Sequence, residues 1–338
     1  MQIQAAINTV IEGKDLSRDQ MQEVMQQIMT GQCEDAQIAG LLVGLRMKGE
    51  TVEEITGAAE VMASLASHVV VNKPNLIDIV GTGGDGTSTF NVSTAASFVA
   101  AGAGCAVAKH GNRSVSSKSG SADLLESAGA NLNLEAQQVA KVIEQVGVGF
   151  MFAPMHHSAM KYAIGPRKAL AARTIFNVLG PLTNPAKVKR QVIGVFNQDL
   201  CAALAQVFLE LGSEHTMVVH SQDGMDEISI CAPTYVSEMK QGEINSYTID
   251  PSDFGLNQAD INDIVVVDSN ESLAMIQKVL NGEAGAARDI VVLNAGAGIY
   301  VSGLAKDLQQ GVTMASESID SGSAKQALEN YVSATQAS

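Results

Sequence analysis

The run Gly81-Thr-Gly-Gly-Asp-Gly86 holds the first residues that could perform chemistry. It follows Leu76–Val80, an apolar run that predicts a buried strand. A glycine turn after a strand leaves backbone N–H groups free to bind phosphate oxygens. Asp85 lies inside the turn and would repel a bare pyrophosphate, so the turn favours a metal ion or a sugar hydroxyl beside the phosphates. A plain tight turn is the alternative.

The same glycines match the Gly-x-Gly-x-x-Gly pattern of dinucleotide-binding proteins. That pattern requires an acidic residue at the end of the next strand, about 20 residues further on, to hold a ribose hydroxyl. Ala106–Lys109 occupies that place and contains no carboxylate. A dinucleotide site is therefore excluded, and so is a P-loop, because the sequence has no Gly-x-x-x-x-Gly-Lys.

Lys109-His-Gly-Asn-Arg113 places two cations around a histidine and an asparagine, after a second apolar run. Serine hydroxyls are dense in the residues that follow, Ser114–Ser121. Cations and hydroxyls together can bind several phosphate oxygens, so this run predicts a phosphate cradle. The alternative is a solvated charged loop.

Adjacent carboxylates occur in Asp223-Gly-Met-Asp226-Glu227, after the predicted strand Thr216–Val219. Such a pair suits Mg²⁺, a hard cation that keeps waters and bridges to substrate phosphates. The spacing does not match an EF-hand, and a solvated acidic turn is the alternative.

The remaining polar candidates lie between residues 154 and 173. His156-His157 has no cysteine or carboxylate at ligand spacing, so pocket lining is a better interpretation than a metal site. Arg167 is a candidate anchor for a substrate carboxylate. Lys168 and Arg173 are equally available, and the composition does not choose among the three.

Helices and strands must position these residues. In residues 1–70 the sequence pattern predicts helices only. Two of the helices open with capping boxes, Ser17 with Gln20 and Thr51 with Glu54. After Val69, strands and helices alternate, which predicts an α/β domain with a mostly parallel, buried sheet. The predicted strands are Leu76–Val80, Cys105–Ala108, Val148–Ala153, Gln191–Phe196, Thr216–Val219, Ile264–Val267 and Ile290–Leu293.

The predicted domains are a helical domain, residues 1–70, and an α/β domain, residues 71–338. The segment Tyr162–Lys187 is short of strand signal, and we expect it to pack on the helical domain. Within Ile228–Ile249, two β-rich stretches flank Lys240-Gln-Gly-Glu243, which predicts a hairpin.

The composition limits the partners and the compartment. A net charge of −15 disfavours non-specific binding to nucleic acid or to an anionic membrane. The four cysteines are scattered and form no Cys-x-x-Cys pair, which is typical of reduced thiols. No signal peptide and no apolar run of about 18 residues is visible. We therefore expect a soluble, cytoplasmic protein.

Taken together, the motifs resemble the anthranilate phosphoribosyltransferase family, over essentially the whole chain. The motifs that carry the resemblance are Gly81-Thr-Gly-Gly-Asp85, Asn91-Val-Ser-Thr94, Lys109-His-Gly-Asn-Arg-Ser-Val-Ser-Ser117 with Ser119-Gly-Ser-Ala-Asp123, Arg173-Thr-Ile-Phe-Asn-Val-Leu-Gly-Pro-Leu-Thr-Asn-Pro185, and Asp223-Gly-Met-Asp-Glu227. One departure is Ser158, since a proline commonly follows the second histidine of His156-His157 in the family.

The resemblance implies a small helical domain beside a large α/β domain, and a homodimer formed through the helical part. It implies transfer of the phosphoribosyl group of phosphoribosyl pyrophosphate (PRPP) to the amine of anthranilate, a step of tryptophan biosynthesis. The residues implied to hold PRPP are Gly81, Gly84, Asp85, Thr89, Asn91, Val92, Ser93, Thr94, Lys109, His110, Gly111, Asn112, Arg113, Ser114, Val115, Ser116, Ser117 and Ser121. Ser93, Asp226 and Glu227 are implied to bind Mg²⁺, and Gly81, Asn112 and Arg167 to contact anthranilate, with His110 near it.

Two other functions compete with this one. A pyrimidine-nucleoside phosphorylase of the same fold would also bind phosphate and ribose, but it would not need the paired carboxylates Asp226 and Glu227. A non-enzymatic nucleic-acid-binding relative would need a basic surface, which the net charge of −15 disfavours.

Overall fold

The chain begins with four helices, in a computed structural model that describes residues 1–113 and 119–338. They are α1 (Ile3–Ile11), α2 (Arg18–Met29), α3 (Asp35–Lys48) and α4 (Val52–Ser64). Both predicted capping boxes are confirmed, at the starts of α2 and α4. The buried carboxylate of Glu54 accepts hydrogen bonds from Leu16 N at 2.9 Å and from Lys48 Nζ at 2.9 Å, which ties the helices together.

A seven-stranded sheet forms the centre of the rest of the chain. Its strands are β1 (Ile77–Gly81), β2 (Val107–Gly111), β3 (Val148–Phe152), β4 (Arg190–Gly194), β5 (His215–Ser221), β6 (Thr234–Lys240) and β7 (Glu243–Ile249). The order is β3-β2-β1-β4-β5-β6-β7. The first five in this order are parallel, and the predicted hairpin adds the antiparallel pair β6 and β7. The expected fold class, a helical domain plus an α/β domain with a mostly parallel sheet, is confirmed.

Eleven further helices follow in the described residues. They are α5 (Val92–Gly102), α6 (Ser121–Ser127), α7 (Ala136–Val146), α8 (Ala153–His156), α9 (Lys161–Leu170), α10 (Phe176–Leu182), α11 (Asp199–Glu210), α12 (Ser269–Leu280), α13 (Ala286–Ser302), α14 (Leu308–Asp320) and α15 (Ser323–Gln336). In the described part of the chain, no helix combines the length and the apolar character needed to cross a bilayer.

Two predicted strands were wrong. Ile290–Leu293 lies inside α13, where every residue from Ile290 to Ile299 is buried. A helix that is buried on all sides has no polar face, and a short apolar run of this kind cannot be told from a buried strand by its pattern. Ile264–Val267 joins no sheet in the described residues and forms only an isolated bridge, between Val265 and Thr89.

The segment Tyr162–Lys187 packs against the first four helices. The ring of Tyr162 lies against Gly31, where a Cβ would come within 2.6 Å of it. The buried side chains of α9 and α10 belong to the same apolar cluster as those of α1 to α4. This packing supports our proposal that residues 162–187 join residues 1–70 as one unit beside the α/β domain.

Candidate active site

The motifs predicted to carry chemistry lie at the carboxyl ends of parallel strands. β1 is paired with β2 on one side and with β4 on the other. The chain runs from β1 outward to β2 and β3 and then returns to β4, so the order of strands reverses at β1. In open α/β sheets, ligands bind in the crevice at this kind of switch point. The glycine turn follows β1 directly and therefore lies at the crevice.

Asp226 packs directly onto the glycine turn. Gly83 N donates to Asp226 Oδ2 at 2.6 Å. A Cβ on Gly81 would lie 2.3 Å from Asp226 Oδ2, and one on Gly194 would lie 1.5 Å from the Asp226 carbonyl oxygen. The Gly194 position therefore requires glycine, because a Cβ there would meet backbone, whereas a Cβ at Gly81 would displace the Asp226 carboxylate. Gly194 was not among the predicted site residues, although a glycine at a strand end is a recognised sign of close approach by another part of the chain.

Glu227 joins the carboxylate pair to the start of α5. Its Oε1 accepts a hydrogen bond from Ser93 N at 3.1 Å. Lys109 Nζ donates to Ile79 O at 2.5 Å and to Ser93 Oγ at 3.3 Å. We call Asp85, Ser93, Lys109, Asp226 and Glu227 the crevice cluster. It assembles a cation and three carboxylates from four distant parts of the chain.

The charges of the crevice cluster are not balanced. Burial raises the pKa of Asp226, and the nearby Asp85 carboxylate raises it further. Burial likewise raises the pKa of Glu227, and the charge of Asp226 adds to this. Burial lowers the pKa of Lys109, while nearby carboxylates oppose that shift. One buried ammonium faces several carboxylates, so a further cation would stabilise their charged forms.

The donor set decides which cation fits. Among the described residues, no three His, Cys, Asp or Glu side chains gather into a metal site of their own. Two carboxylates and the Ser93 hydroxyl are hard oxygen donors, and they leave room for water and phosphate oxygens. That arrangement fits Mg²⁺, which keeps several waters, and does not fit a closed zinc site.

The glycine turn presents unused amides. Gly83, Gly84 and Gly86 have φ of +69°, +79° and +80°, a region that glycine adopts without strain. The N–H groups of Gly84, Asp85 and Gly86 have no hydrogen-bond acceptor among the described residues. Successive free amides in a turn of this kind form a site for an anion. The Asp85 carboxylate accepts a hydrogen bond from the Thr87 hydroxyl at 2.5 Å.

Arg173 contacts the glycine turn at Gly84. Its Nη2 donates to Gly84 O, and its guanidinium lies 4.3 Å from the centre of the Phe196 ring. In the part of the chain that the structure describes, Arg173 has no carboxylate partner. The sequence predicted Arg173 only as a candidate anchor for a substrate carboxylate. Its contact with Gly84 could not be predicted, because the two residues are 89 positions apart in the chain.

The residues predicted at the start of α5 differ in which of their atoms could reach a ligand. The side chains of Val92 and Thr94 are buried, so only their backbone atoms could reach a ligand. Asn91 bonds Ser119 and Ser272 through its side chain. Thr89 forms the isolated backbone bridge with Val265.

His110 is buried below the crevice. Its Nδ1 is 3.2 Å from Gly180 O, and its ring centre is 5.0 Å from that of His157. Because a carbonyl oxygen only accepts, Nδ1 carries the proton and Nε2 keeps a lone pair. Burial lowers the pKa of His110 to about 3, and the charge of His157 contributes. Nε2 is an acceptor that has no partner among the described residues.

The backbone around His110 is held by a fully buried carboxylate. Asp78 accepts hydrogen bonds from His110 N at 3.3 Å and from Asn184 Nδ2 at 2.8 Å. The next residue, Gly111, has no room for a side chain, because a Cβ would lie 2.6 Å from the Phe150 ring.

The two arginines predicted at the site have different surroundings. Arg113 forms ion pairs with Asp123 at 2.9 Å and Glu126 at 2.6 Å. Arg167 is partly buried and lies 5.2 Å from the centre of the Phe176 ring. Within residues 1–113 and 119–338, Arg167 has no acidic partner, and burial lowers its pKa. Arg167 is therefore the more available of the two for an anionic ligand.

Six further predicted positions complete the set, and the structure describes two of them. Asn112 is exposed at the end of β2, and its Oδ1 accepts from Arg113 N at 2.8 Å. Ser121 begins α6. The predicted residues Ser114, Val115, Ser116 and Ser117 lie outside the described part of the chain.

Comparison with known proteins identifies the relatives of this architecture. The helical bundle domain of a glycosyl transferase family matches residues 4–66, and the a/b domain of that family matches residues 73–325. The anthranilate phosphoribosyltransferase of Marinomonas sp. (strain MWYL1) is 58% identical over 337 residues, which is 99% of this chain and 97% of the relative.

Solved structures agree. The anthranilate phosphoribosyltransferase of Thermus thermophilus has a TM-score of 0.93 and 40% identity, covering 98% of this chain and 99% of that one. The enzyme of Saccharomyces cerevisiae in complex with PRPP and Mg has a TM-score of 0.91 and 27% identity, covering 99% of this chain and 98% of that one. The yeast enzyme has also been solved with 4-fluoroanthranilate.

Proposed function

This chain belongs to the anthranilate phosphoribosyltransferase family, and we propose how the residues of its crevice perform the family's reaction. The chain is a transferase that moves the phosphoribosyl group of PRPP to the amine of anthranilate. The products are phosphoribosyl-anthranilate and pyrophosphate, in tryptophan biosynthesis. The observation that carries the assignment of the site is the contact of Asp226 with Gly81 and Gly83, beside Glu227 and Lys109.

The pyrophosphate of PRPP binds between the glycine turn and the start of α5. The unused amides of Gly84, Asp85 and Gly86 supply donors for its oxygens. Lys109 uses two of its three N–H groups within the protein, so the third remains for the ligand.

Asp226, Glu227 and Ser93 would hold Mg²⁺ at this site. When bound, Mg²⁺ supplies positive charge close to the pyrophosphate oxygens. The buried carboxylates match that role because a cation, like protonation, relieves their mutual repulsion.

Other predicted residues surround the ribose and its phosphate. Asn91 and Asp85 lie on the two sides of the turn that follows β1, where carboxylate and amide groups suit sugar hydroxyls and phosphate oxygens. Arg113, which pairs with Asp123 and Glu126 and so fixes the end of β2 against α6, stays a proposed ligand of the PRPP phosphates.

Anthranilate brings a carboxylate and a neutral aromatic amine. Arg167, which has no acidic partner among the described residues, supplies a cation for the carboxylate, and Gly81 and Asn112 contact the ligand at the strand ends. The lone pair of His110 Nε2 accepts a hydrogen of the amine and turns the nitrogen lone pair toward the ribose. Burial lowers the pKa of His110, so its ring is neutral and can accept this hydrogen bond, which orients the amine.

The chemistry then follows from charge. Cleavage of the bond between the anomeric carbon and pyrophosphate leaves a cationic, oxocarbenium-like sugar and a highly charged leaving group. The amides of the glycine turn and Lys109 stabilise the leaving group, because they are already aimed at it before the bond breaks. Arg167 and His110 hold the amine in place for attack on the opposite face.

The homodimer and the compartment are proposals of the same kind. Ile11, Val43 and Met47 on α1 and α3 are exposed, with 70%, 40% and 84% of their surfaces accessible. A second copy of the helical unit would cover this apolar face. Met47→Glu should yield a monomer in light scattering.

The four cysteines are all free thiols, which supports a reducing, cytoplasmic location.

The activity is tested by following fluorescence as anthranilate is consumed in the presence of PRPP and Mg²⁺. Arg167→Gln should raise the KM for anthranilate about tenfold or more and leave the KM for PRPP within about twofold, since a charge-assisted hydrogen bond is lost. Phosphorolysis of thymidine or uridine without anthranilate transfer would instead assign the chain to the nucleoside phosphorylases.

A further inference from the structure

Ser272 lies outside every motif, yet it contacts a residue of the proposed PRPP site. It is fully buried in α12. Its Oγ accepts a hydrogen bond from Asn91 N at 3.0 Å and donates one to Asn91 Oδ1 at 2.7 Å. Asn91 begins α5 but makes no side-chain capping bond to that helix, although asparagine is a good N-cap. Its side chain is therefore used for a different purpose.

The hydrogen-bond directions around Asn91 are fixed by Ser272. A backbone N–H only donates, so Asn91 N uses a lone pair of the serine hydroxyl, and the hydroxyl proton must point to another acceptor. That acceptor is Asn91 Oδ1, which also accepts from Ser119 Oγ at 2.7 Å. The amide nitrogen must then face the other way, where Nδ2 donates to Ser119 O at 3.2 Å.

One hydrogen of the Asn91 amide is left over. Oδ1 is saturated by two hydroxyls, and one Nδ2–H is used on Ser119 O. The second Nδ2–H has no acceptor among the described residues. It is a single, oriented donor at the start of α5, where an anionic ligand is also favoured by the helix dipole.

The element that carries Ser272 is rigid. Asp268 caps α12 by accepting from Asn270 N at 2.8 Å and from Glu271 N at 2.9 Å. Ile276 and Val279 anchor the helix in the core. The backbone just before the helix is also fixed to the end of the glycine turn, because Val266 N donates to Ser88 O at 3.0 Å.

We propose that Ser272 is a positioning residue for PRPP, which sets the Asn91 amide so that its remaining N–H points at a ligand oxygen. Ser272 does not touch the substrate itself, because it is buried behind Asn91. This role rests on the proposed function, in which Asn91 belongs to the PRPP site. Asn91 itself bonds Ser119, so the orientation that Ser272 sets also decides which Asn91 atoms face Ser119.

The test compares Ser272→Ala with a matched serine. Ser318 is also buried, and its hydroxyl donates to Val99 O of the same helix α5, at 2.8 Å, but near the other end. Ser272→Ala should raise the KM for PRPP about tenfold, because the Asn91 amide is no longer held in one orientation. The KM for anthranilate should stay within about twofold. Ser318→Ala should lower the melting temperature and leave both KM values unchanged.

A double-variant cycle separates orientation from general damage. If Ser272 acts through Asn91, the variant with both Asn91→Ala and Ser272→Ala should have the same KM for PRPP as Asn91→Ala alone. Ser272→Thr, which keeps the hydroxyl, should restore the wild-type KM; if it does not fold, Ser272→Cys should give an intermediate value.

The outcomes distinguish the inference from the proposed site. A normal KM for PRPP in Ser272→Ala, beside a raised one in Asn91→Ala, overturns the role of Ser272 alone. Effects that multiply in the double variant also overturn it. A normal KM in Asn91→Ala would remove Asn91 from the PRPP site.

Discussion

Two buried polar clusters lie at opposite ends of the same sheet, and they differ in whether their polar groups have partners within the protein. At the amino end of β5, His215 Nε2 lies 2.7 Å from Glu238 Oε1, and Tyr247 OH donates to Glu238 Oε2 at 2.7 Å. Lys240 Nζ donates to Tyr300 OH at 3.0 Å, and the Tyr300 ring packs edge-on against His215. We call these five residues the rear network. Its charged groups have partners of opposite charge or hydrogen-bonding partners.

The crevice cluster at the other end is incomplete by comparison. Its carboxylates repel one another, and three amides of the adjacent glycine turn have no acceptor in the described part of the chain. Unsatisfied buried groups cost stability, and they persist where a ligand completes them. The difference teaches that one sheet uses polar residues for folding at one end and for binding at the other.

The largest effect should come from removing one carboxylate at each end. Asp226→Asn keeps the acceptor for Gly83 N but removes a metal-binding charge, so kcat/KM should fall by about 100-fold or more. Its melting temperature should hold or rise, because a buried repulsion disappears. In Glu238→Gln the hydrogen bond to His215 or Tyr247 is lost, so the variant should be about 1–2 kcal/mol less stable and fully active.

Urea unfolding and steady-state kinetics on the same preparations measure both quantities. If Asp226→Asn lost stability and kept its activity, the division between the two ends would be wrong.

The carboxylates and the glycine turn could be predicted because each is a local signal. Glycines after an apolar run, and adjacent acids after a strand, can be recognised from a few consecutive residues. Because the strands are parallel, the motifs that follow them lie at the same edge of the sheet. The helices of residues 1–70 could also be predicted, since a capping box is a pattern of two residues three positions apart.

Other parts of the site depend on contacts that no local pattern carries. Gly194 is required by the backbone of Asp226, 32 positions later, and Arg173 reaches the turn across 89 residues. Arg113 was predicted as a phosphate ligand, which stays a prediction, but its pairing with Asp123 and Glu126 depends on where α6 packs. The strand predicted at Ile290–Leu293 failed for a related reason, because burial all around a helix removes its periodicity.

A smaller effect is expected when the packing around Asp226 is disturbed without changing its charge. In Gly194→Ala the new Cβ would lie 1.5 Å from the Asp226 carbonyl oxygen, so the backbone must move. We expect a loss of about 1–3 kcal/mol in stability, as in other overpacked cores, and about a tenfold loss of kcat. Gly40→Ala in α3 is the control, since its Cβ would meet only Ile7 at 3.9 Å.

Gly40→Ala should gain up to about 1 kcal/mol, because alanine is the better helix former. Circular dichroism melts of both variants, with kcat from the fluorescence assay, check this pair. Equal activity in the two variants would mean that the position of the Asp226 backbone does not matter for catalysis.

A weaker effect should follow from opening the glycine turn on its other side. Arg173→Gln removes the guanidinium from Gly84 O and from the Phe196 face, so Gly84 loses this contact while Gly83 keeps its hydrogen bond to Asp226. Because Arg173 is exposed, we expect about a fivefold rise in the KM for PRPP and little change in stability. Arg46→Gln, in α3 and remote from the crevice, is the control for the loss of a surface arginine. A rise in the KM for anthranilate alone would place Arg173 with the other substrate instead.

The smallest and most discriminating difference lies in the pH dependence of stability. In the crevice cluster, burial raises the pKa of Asp226 to about 7 and that of Glu227 to about 8. The folded state therefore holds protons that the unfolded chain releases near pH 4, and this contribution to stability is lost as the pH rises toward 8. Glu238 behaves in the opposite way. His215 and Tyr247 outweigh its burial and lower its pKa, so its contribution is present above about pH 4 and is lost in acid.

Melting temperatures should be measured without Mg²⁺ from about pH 3 to about pH 9. Above pH 5 they should fall less steeply with pH in Asp226→Asn than in the wild type. Added Mg²⁺ should stabilise the wild type more at pH 8 than at pH 6, because a metal ion binds the deprotonated carboxylates. Glu238→Gln should keep the wild-type slope above pH 5 and differ only on the acid side. If all three proteins gave parallel profiles, the crevice carboxylates would not be coupled to folding, and the contrast between the two ends of the sheet would rest on hydrogen bonding alone.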